Sequence, residues 1–306
     1  MKTLILFVVL FLTQTLRTQI ATAPTTGDGS SGSPYQIATW QNLYWISQNS
    51  SEWGKYYIQT ANIDFTSVSP AINTWDSGAG WTPIGNSSTN FTGSYNGQNN
   101  FIKGLYINRP STDCVGLFGY ASDSTIQYVG LISCSVSGQN YVGSLVGENH
   151  GTISYTYNTG TVHGSSQVGG LVGHHYSGTI NNSYNTGTIG NGIITTSGAS
   201  YVGGLVGHSH YGLIINSYNT GKIDGGYWGV GGLVGYNNTD GGTVEKCYSS
   251  GLVNAYPNPD PSYGIYRFGG LVGDCCSGPV YDSYWDIEAS GTSISSSGQG
   301  TGKTTI

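Results

Sequence analysis

Glu148, His174 and His208 each directly follow a copy of the same Val/Gly/Leu string, and they are this chain's best candidates for chemistry. The same place holds Tyr236 and then Asp274 further along, with His150, His175 and His210 close by. Imidazole beside carboxylate could hold zinc or copper, or change charge near pH 6.5. A metal needs ligands that converge on one point, whereas a ladder of parallel side chains decorates a solvated corner. No metal, and no other cofactor, is therefore expected. The chain also has no His-Glu-x-x-His or Cys-x-x-Cys pattern.

Catalysis by carboxylates fares no better. Glycoside cleavage requires two of them roughly 5 to 10 Å apart. The 15 acids are scattered, and no two occupy equivalent repeat positions together with a Lys or Arg. Asp282 and Asp286 sit together in "DSYWD", a phrase better suited to closing a structure. No catalytic residues are expected, and a polysaccharide-active β-helix hydrolase or lyase is the alternative.

The elements that position these residues come from an internal repeat. "VGGLVG" stands at 168–173, 202–207 and 230–235, with variants at 115–119, 142–147 and 268–273. Its leucines, Leu117, Leu145, Leu171, Leu205, Leu233 and Leu271, are 28, 26, 34, 28 and 38 residues apart. A second phrase follows each string, as in "GTINNSYNTGTI" at 178–189. A period near 26 with insertions always before the string describes stacked coils with one variable loop. No helical spacing is sustained, and each internal glycine would cost a helix about 1 kcal/mol. The unit is also too short for a propeller blade of roughly 40 residues. The fold class predicted is all-β: a β-solenoid, or parallel β-helix, with coils spaced about 4.8 Å apart.

In such a coil the Val and Leu of each string stack inside as a rung. The glycines are expected to bend the chain or to take positive φ at a corner. Ile180 and Tyr184 share strand parity, as do Ile214 with Tyr218 and Val244 with Tyr248, so each pair is expected on one side. If the coils are in register, Glu148, His174 and His208 form a column. "NTGT" at 158–161 and 185–188 would stack Thr159 on Thr186 and Thr161 on Thr188, until Lys222, Ser250 and Leu252 interrupt it. A structural or ice-binding solenoid is thus a further alternative.

Composition narrows the partners. Residues 1–23 have the form of a secretory leader: Lys2, the apolar run Leu4 to Leu12, and Ala21-Thr22-Ala23. Nine apolar residues are too few for a membrane span of about 20. Without this leader, seven basic residues face fifteen acidic ones, so the mature chain carries about −8 at neutral pH. Nucleic acid and anionic lipid are not expected as partners on those grounds. Five cysteines in an exported chain allow two bridges; Cys247 with Cys275 or Cys276, and Cys114 with Cys134, are the candidate pairs. Asn-x-Ser/Thr sequons begin at Asn49, Asn86, Asn90, Asn181 and Asn237.

The alternation of "VGGLVG" with "NSYNTG", closed by Asp282 to Thr305, resembles the GLUG-motif repeats of secreted and surface-exposed bacterial proteins. Upstream phrases such as "WTPIG" (81–85) and "FTGSYNGQNNFIKGLYIN" (91–108) resemble the segment that precedes those repeats. The resemblance covers nearly the whole mature chain. It implies an adhesin-like protein, and the metallopeptidase machinery that accompanies some such repeats has no match here. No recognisable sorting domain follows the closing motif, so secretion, or attachment through something else, is expected.

The predicted organisation is a leader at 1–23, a Trp-rich cap with the first coils at 24–110, the repeat solenoid at 111–290 and a Gly/Ser-rich tail at 291–306. The expected function is a secreted or surface-associated module that binds glycan or a host or matrix protein through its side face and inter-coil loops. The candidate binding residues are Glu148, His174 and His208, with Tyr256 and Tyr263 in the insertion at 254–267. A second insertion at 191–200 is expected on the same edge.

Overall fold

The computed structural model describes residues 19–190, 200–226, 228–238, 242–255, 267–275, 278–295 and 299–305. The expected leader falls mostly in residues 1–18, outside this range. Tyr256, Tyr263 and most of both insertions also lie outside the described residues.

Each turn of the chain lays its short strands parallel to those of the turn before. One coil runs Ser200–Gly203, Val206–Ser209, Leu213–Ile215, Tyr218–Asn219 and Ile223–Gly225. Register matches like with like: Val168 pairs with Val202 and Val202 with Val230, Ile180 pairs with Ile214, and Tyr184 with Tyr218. This is the β-solenoid that the repeat predicts. All six rung leucines are fully buried, beside columns such as Val146, Val172, Val206, Val234 and Val272. Each such side chain contributes about 1.5 to 3 kcal/mol through burial.

The rung glycines have a different purpose from the one expected. Gly169, Gly203 and Gly231 do not have positive φ. A Cβ on any of them would instead run into the carbonyl oxygen of the valine three residues on and an amide nitrogen of the next coil. They are there because backbone packs on backbone. The left-handed corner falls on the residue just before each string, Cys114, Tyr141, Gln167, Tyr201 and Gly229, with φ between 53° and 62°.

The tyrosine parity is also corrected. Ile180, Ile214 and Val244 are fully buried, whereas Tyr218 and Tyr248 are exposed and Tyr184 half-buried. Between each pair, Asn182, Asn216 or Lys246 takes a left-handed conformation (φ 48° to 51°) and breaks the alternation. The tyrosines therefore stand outside.

The candidate disulfides do not form, since Cys114, Cys134 and Cys247 are free thiols. They occupy unrelated columns. Cys134 lies against Gly160 with its Sγ 3.0 Å from Asn158 Oδ1, and Cys247 sits in a hydroxyl column between Ser217 and Ser283.

Both ends are covered. The helix Trp40–Gln48, capped by Thr39, heads an aromatic cluster in which Trp53, Trp75 and Trp81 are buried. Trp81 Nε1 donates to Leu117 O at 3.2 Å, which ties the cluster to the first rung. At the other end Asp286 caps the short helix Ile287–Ser290, the structural role expected of it. Thr301–Lys303 then pairs with Tyr284–Asp286. Among the described residues no helix is long and apolar enough to cross a membrane.

Candidate functional site

The register places Glu148, His174, His208, Tyr236 and Asp274 in one column, as the repeat predicts, and adds Tyr120 ahead of them. His174 and His208 stack with ring centroids 4.7 Å apart and planes 23° apart. Glu148 Oε1 lies 3.0 Å from His150 Nε2 and 3.7 Å from His174 Nδ1, and Tyr120 Oη lies 2.8 Å from His150 Nε2. The left-handed corner of each coil leans over the column residue of the next. Cys114 Sγ approaches Glu148 Oε2 (3.7 Å), Tyr141 stacks on His174 (5.3 Å), Gln167 Oε1 meets His208 Nδ1 (3.2 Å), and Tyr201 lies 4.9 Å from Tyr236. Tyr176 stacks on His150 at 4.5 Å from a third column.

The two histidines of the column, and His175 behind them, are held uncharged at neutral pH. Burial, then the imidazoles of His208, His150, His210 and His175, pushes His174 down to about 3. Burial and then His210 push His208 down to about 4, and burial chiefly does the same for His175. Burial and then Glu148 raise both the Cys114 thiol and the Tyr120 phenol to about 12. His174 has neither ring nitrogen hydrogen-bonded, although Glu148 is near its Nδ1. Among the described residues no three His, Cys, Asp or Glu side chains converge as a metal site would require.

A second face was not foreseen. Tyr157, Tyr184, Tyr218, Tyr248 and Tyr284 pair in register along the solenoid. Tyr157 stacks on Tyr184 at 5.1 Å and 6°, and Tyr184 on Tyr218 at 4.9 Å and 2°. Burial, then the flanking phenols of Tyr218 and Tyr157, holds the Tyr184 hydroxyl above its ordinary pKa. One residue on, fully buried Asn158, Asn185 and Asn219 form an amide ladder, each Nδ2 donating to the next Oδ1 at 2.8 Å. Each asparagine also accepts from and donates to the glycine two residues later, as Asn185 does with Gly187. Threonine follows, outward again: Thr159, Thr186 and Thr220 are exposed, and Ser250 is half-exposed. The signal for this arrangement was the recurring "SYNTG" itself, read with asparagine inside rather than out.

A family profile described as the GLUG motif matches residues 164–190, 198–224 and 226–254. This chain carries GLUG repeats. Each GLUG match spans one coil and supplies one member to each face: His174 with Tyr184, His208 with Tyr218, Tyr236 with Tyr248. The GLUG chain is 38% identical over 156 residues to halomucin of Haloquadratum walsbyi, covering 50% of this chain and 2% of that protein. It is 30% identical over 132 residues to a protein of Evansella cellulosilytica provisionally named a Gly-rich membrane protein, covering 42% of this chain and 14% of that one. The chain thus spans a small part of these relatives. In fold it is similar to a crystal structure from Bacteroides ovatus provisionally named an immunoglobulin A1 protease, with a TM-score of 0.68 and 19% identity over 91% of this chain and 86% of that one. At that identity the likeness is one of architecture.

Proposed function

We propose that this GLUG-repeat β-solenoid is a secreted or surface-held, adhesin-like binding module that recognises glycan or a host or matrix protein through the outer faces of its coils. The observation that carries the reading is the alignment of outward rings and hydroxyls into columns, one member per coil, on a rigid core. Tyrosine offers large contact area at low entropic cost, with a polar tip for orientation. The relatives' names, halomucin and a Gly-rich membrane protein, fit a place at the cell surface or outside it. Carboxylates near the faces are already engaged: Glu148 by His150, Asp224 by Lys222 (2.8 Å) and Asp286 by its helix. That supports binding rather than catalysis.

The test is a glycan array and a matrix-protein panel probed with the chain from residue 24, alongside an assay for reducing ends released from polysaccharides. Saturable retention without release is expected. Release of reducing ends, or no retention on any surface, contradicts the reading.

A further inference from the structure

We infer that the tyrosine–threonine face binds a neutral, extended polysaccharide laid along the solenoid axis, with one sugar unit facing each coil. This deepens the proposed function and rests on it. Tyr157, Tyr184 and Tyr218 stack in sequence and shut one another's faces. The first ring, Tyr157, lies over Gly130, where a Cβ would run into it, and the last, Tyr284, is covered by Lys303 Nζ, 3.7 Å from the ring centroid. Between Tyr157 and Tyr218, what reaches solvent is therefore ring edges and phenol hydroxyls, not a platform on which a single sugar could stack. Tyr218 is 37% and Tyr248 42% exposed.

Two residues along, Thr159, Thr186, Thr220 and Ser250 repeat a second hydroxyl beside each phenol. Each coil from Tyr157 to Ser250 thus offers two hydroxyls at the same place, repeated at about 4.8 Å. That interval is close to the rise of one hexose in an extended β-linked chain. A polymer that presents hydroxyls at every unit can meet this array along its length, and the weak contacts of each coil then add.

The array is stiff before anything binds. The buried Asn158–Asn185–Asn219 amides and the hydroxyl of Ser217, which accepts from Ser183 N at 3.2 Å, lock the backbone beneath it. Such preorganisation lowers the ordering cost of binding. Beside the coils from Tyr184 to Ser250, Lys222 is paired with Asp224 at 2.8 Å and Lys246 with Glu245 at 2.6 Å, while Lys303 lies over Tyr284 beyond them, so the middle of the array favours an uncharged chain over an acidic one. Ice is the weaker match: the second threonine column, Thr161 on Thr188, gives way to Lys222 and Leu252.

Sedimentation of the chain from residue 24 with insoluble cellulose and with chitin tests this. Tyr184→Phe with Tyr218→Phe keeps the stacked rings and removes two hydroxyls, so retention should fall roughly tenfold while the melting temperature holds. Thr186→Val with Thr220→Val should weaken it similarly. Failure of the wild type to sediment with either polymer overturns the inference, as do variants that sediment like wild type. If the chain binds elsewhere on the array or matrix panel, the broader reading survives. Thermal hysteresis lost in the Thr→Val variant would instead reassign the face to ice.

Discussion

The imidazole of His174 lies parallel to that of His208, one coil away, with centroids 4.7 Å apart, and both are largely buried. Protonating either would place a charge in a stack of neutral rings.

The pH dependence follows from that stack. Folding lowers His174 to about 3 and His175 and His208 to about 4, so between pH 6.5 and those values the unfolded chain binds more protons. Their contribution is complete above pH 6.5 and is lost as pH falls through this window, a loss of several kcal/mol if the three act together. Melting temperature should start to fall above the carboxylate range. His208→Tyr, which installs the residue that the next coil has at Tyr236, should flatten the slope. Equal slopes for variant and wild type would contradict the assignment.

Asn185 is a central rung of the amide ladder. Replacement by Ala takes the side-chain partner from the Gly187 N–H and C=O and one bond each from Asn158 Nδ2 and Asn219 Oδ1, which keep only Gly160 O and Gly221 N, and should cost about 2 to 4 kcal/mol in denaturant unfolding. Asn185→Asp should cost more, because a buried carboxylate cannot donate to Gly187 or Asn219.

Gly203→Ala tests the close approach of coils. The added methyl meets the Val206 carbonyl within the coil and the Gly235 amide of the next, both backbone and unable to retreat. Loss of folded protein is expected in circular dichroism, although alanine is at ease at this φ.

Cys247 occupies a column that holds Ser183, Ser217 and Ser283 in other coils. Cys247→Ser should therefore change stability by less than about 1 kcal/mol. In denaturant without reductant, Cys114, Cys134 and Cys247 should all react with a thiol reagent.

The coil architecture was legible because the rung leucines recur at one spacing and each is an interior position. The Glu148–His174–His208 column followed from it, since a residue directly after a rung has its place fixed by the rung. The tyrosine ladder was hidden by the parity rule, which holds only while a strand runs straight. Asn182, Asn216 and Lys246 bend the chain through left-handed conformations that no glycine announces. Asparagine two residues before tyrosine, twice over, was the available signal, because it tolerates that conformation better than most residues. The leaning corners Cys114, Tyr141, Gln167, Tyr201 and Gly229 are not of one residue type, so no single recurring residue in sequence marked them.

Hydrogen exchange along the coils, measured free and with saturating cello- or chito-oligosaccharide, bears most directly on the claim that an outer face binds a repeating ligand. Slowed exchange should appear in consecutive coils at the same place, around residues 157–159, 184–186, 218–220 and 248–250. Protection confined to residues 191–199 or 256–266, or to the column at His174 and His208, would contradict it, as would none at all.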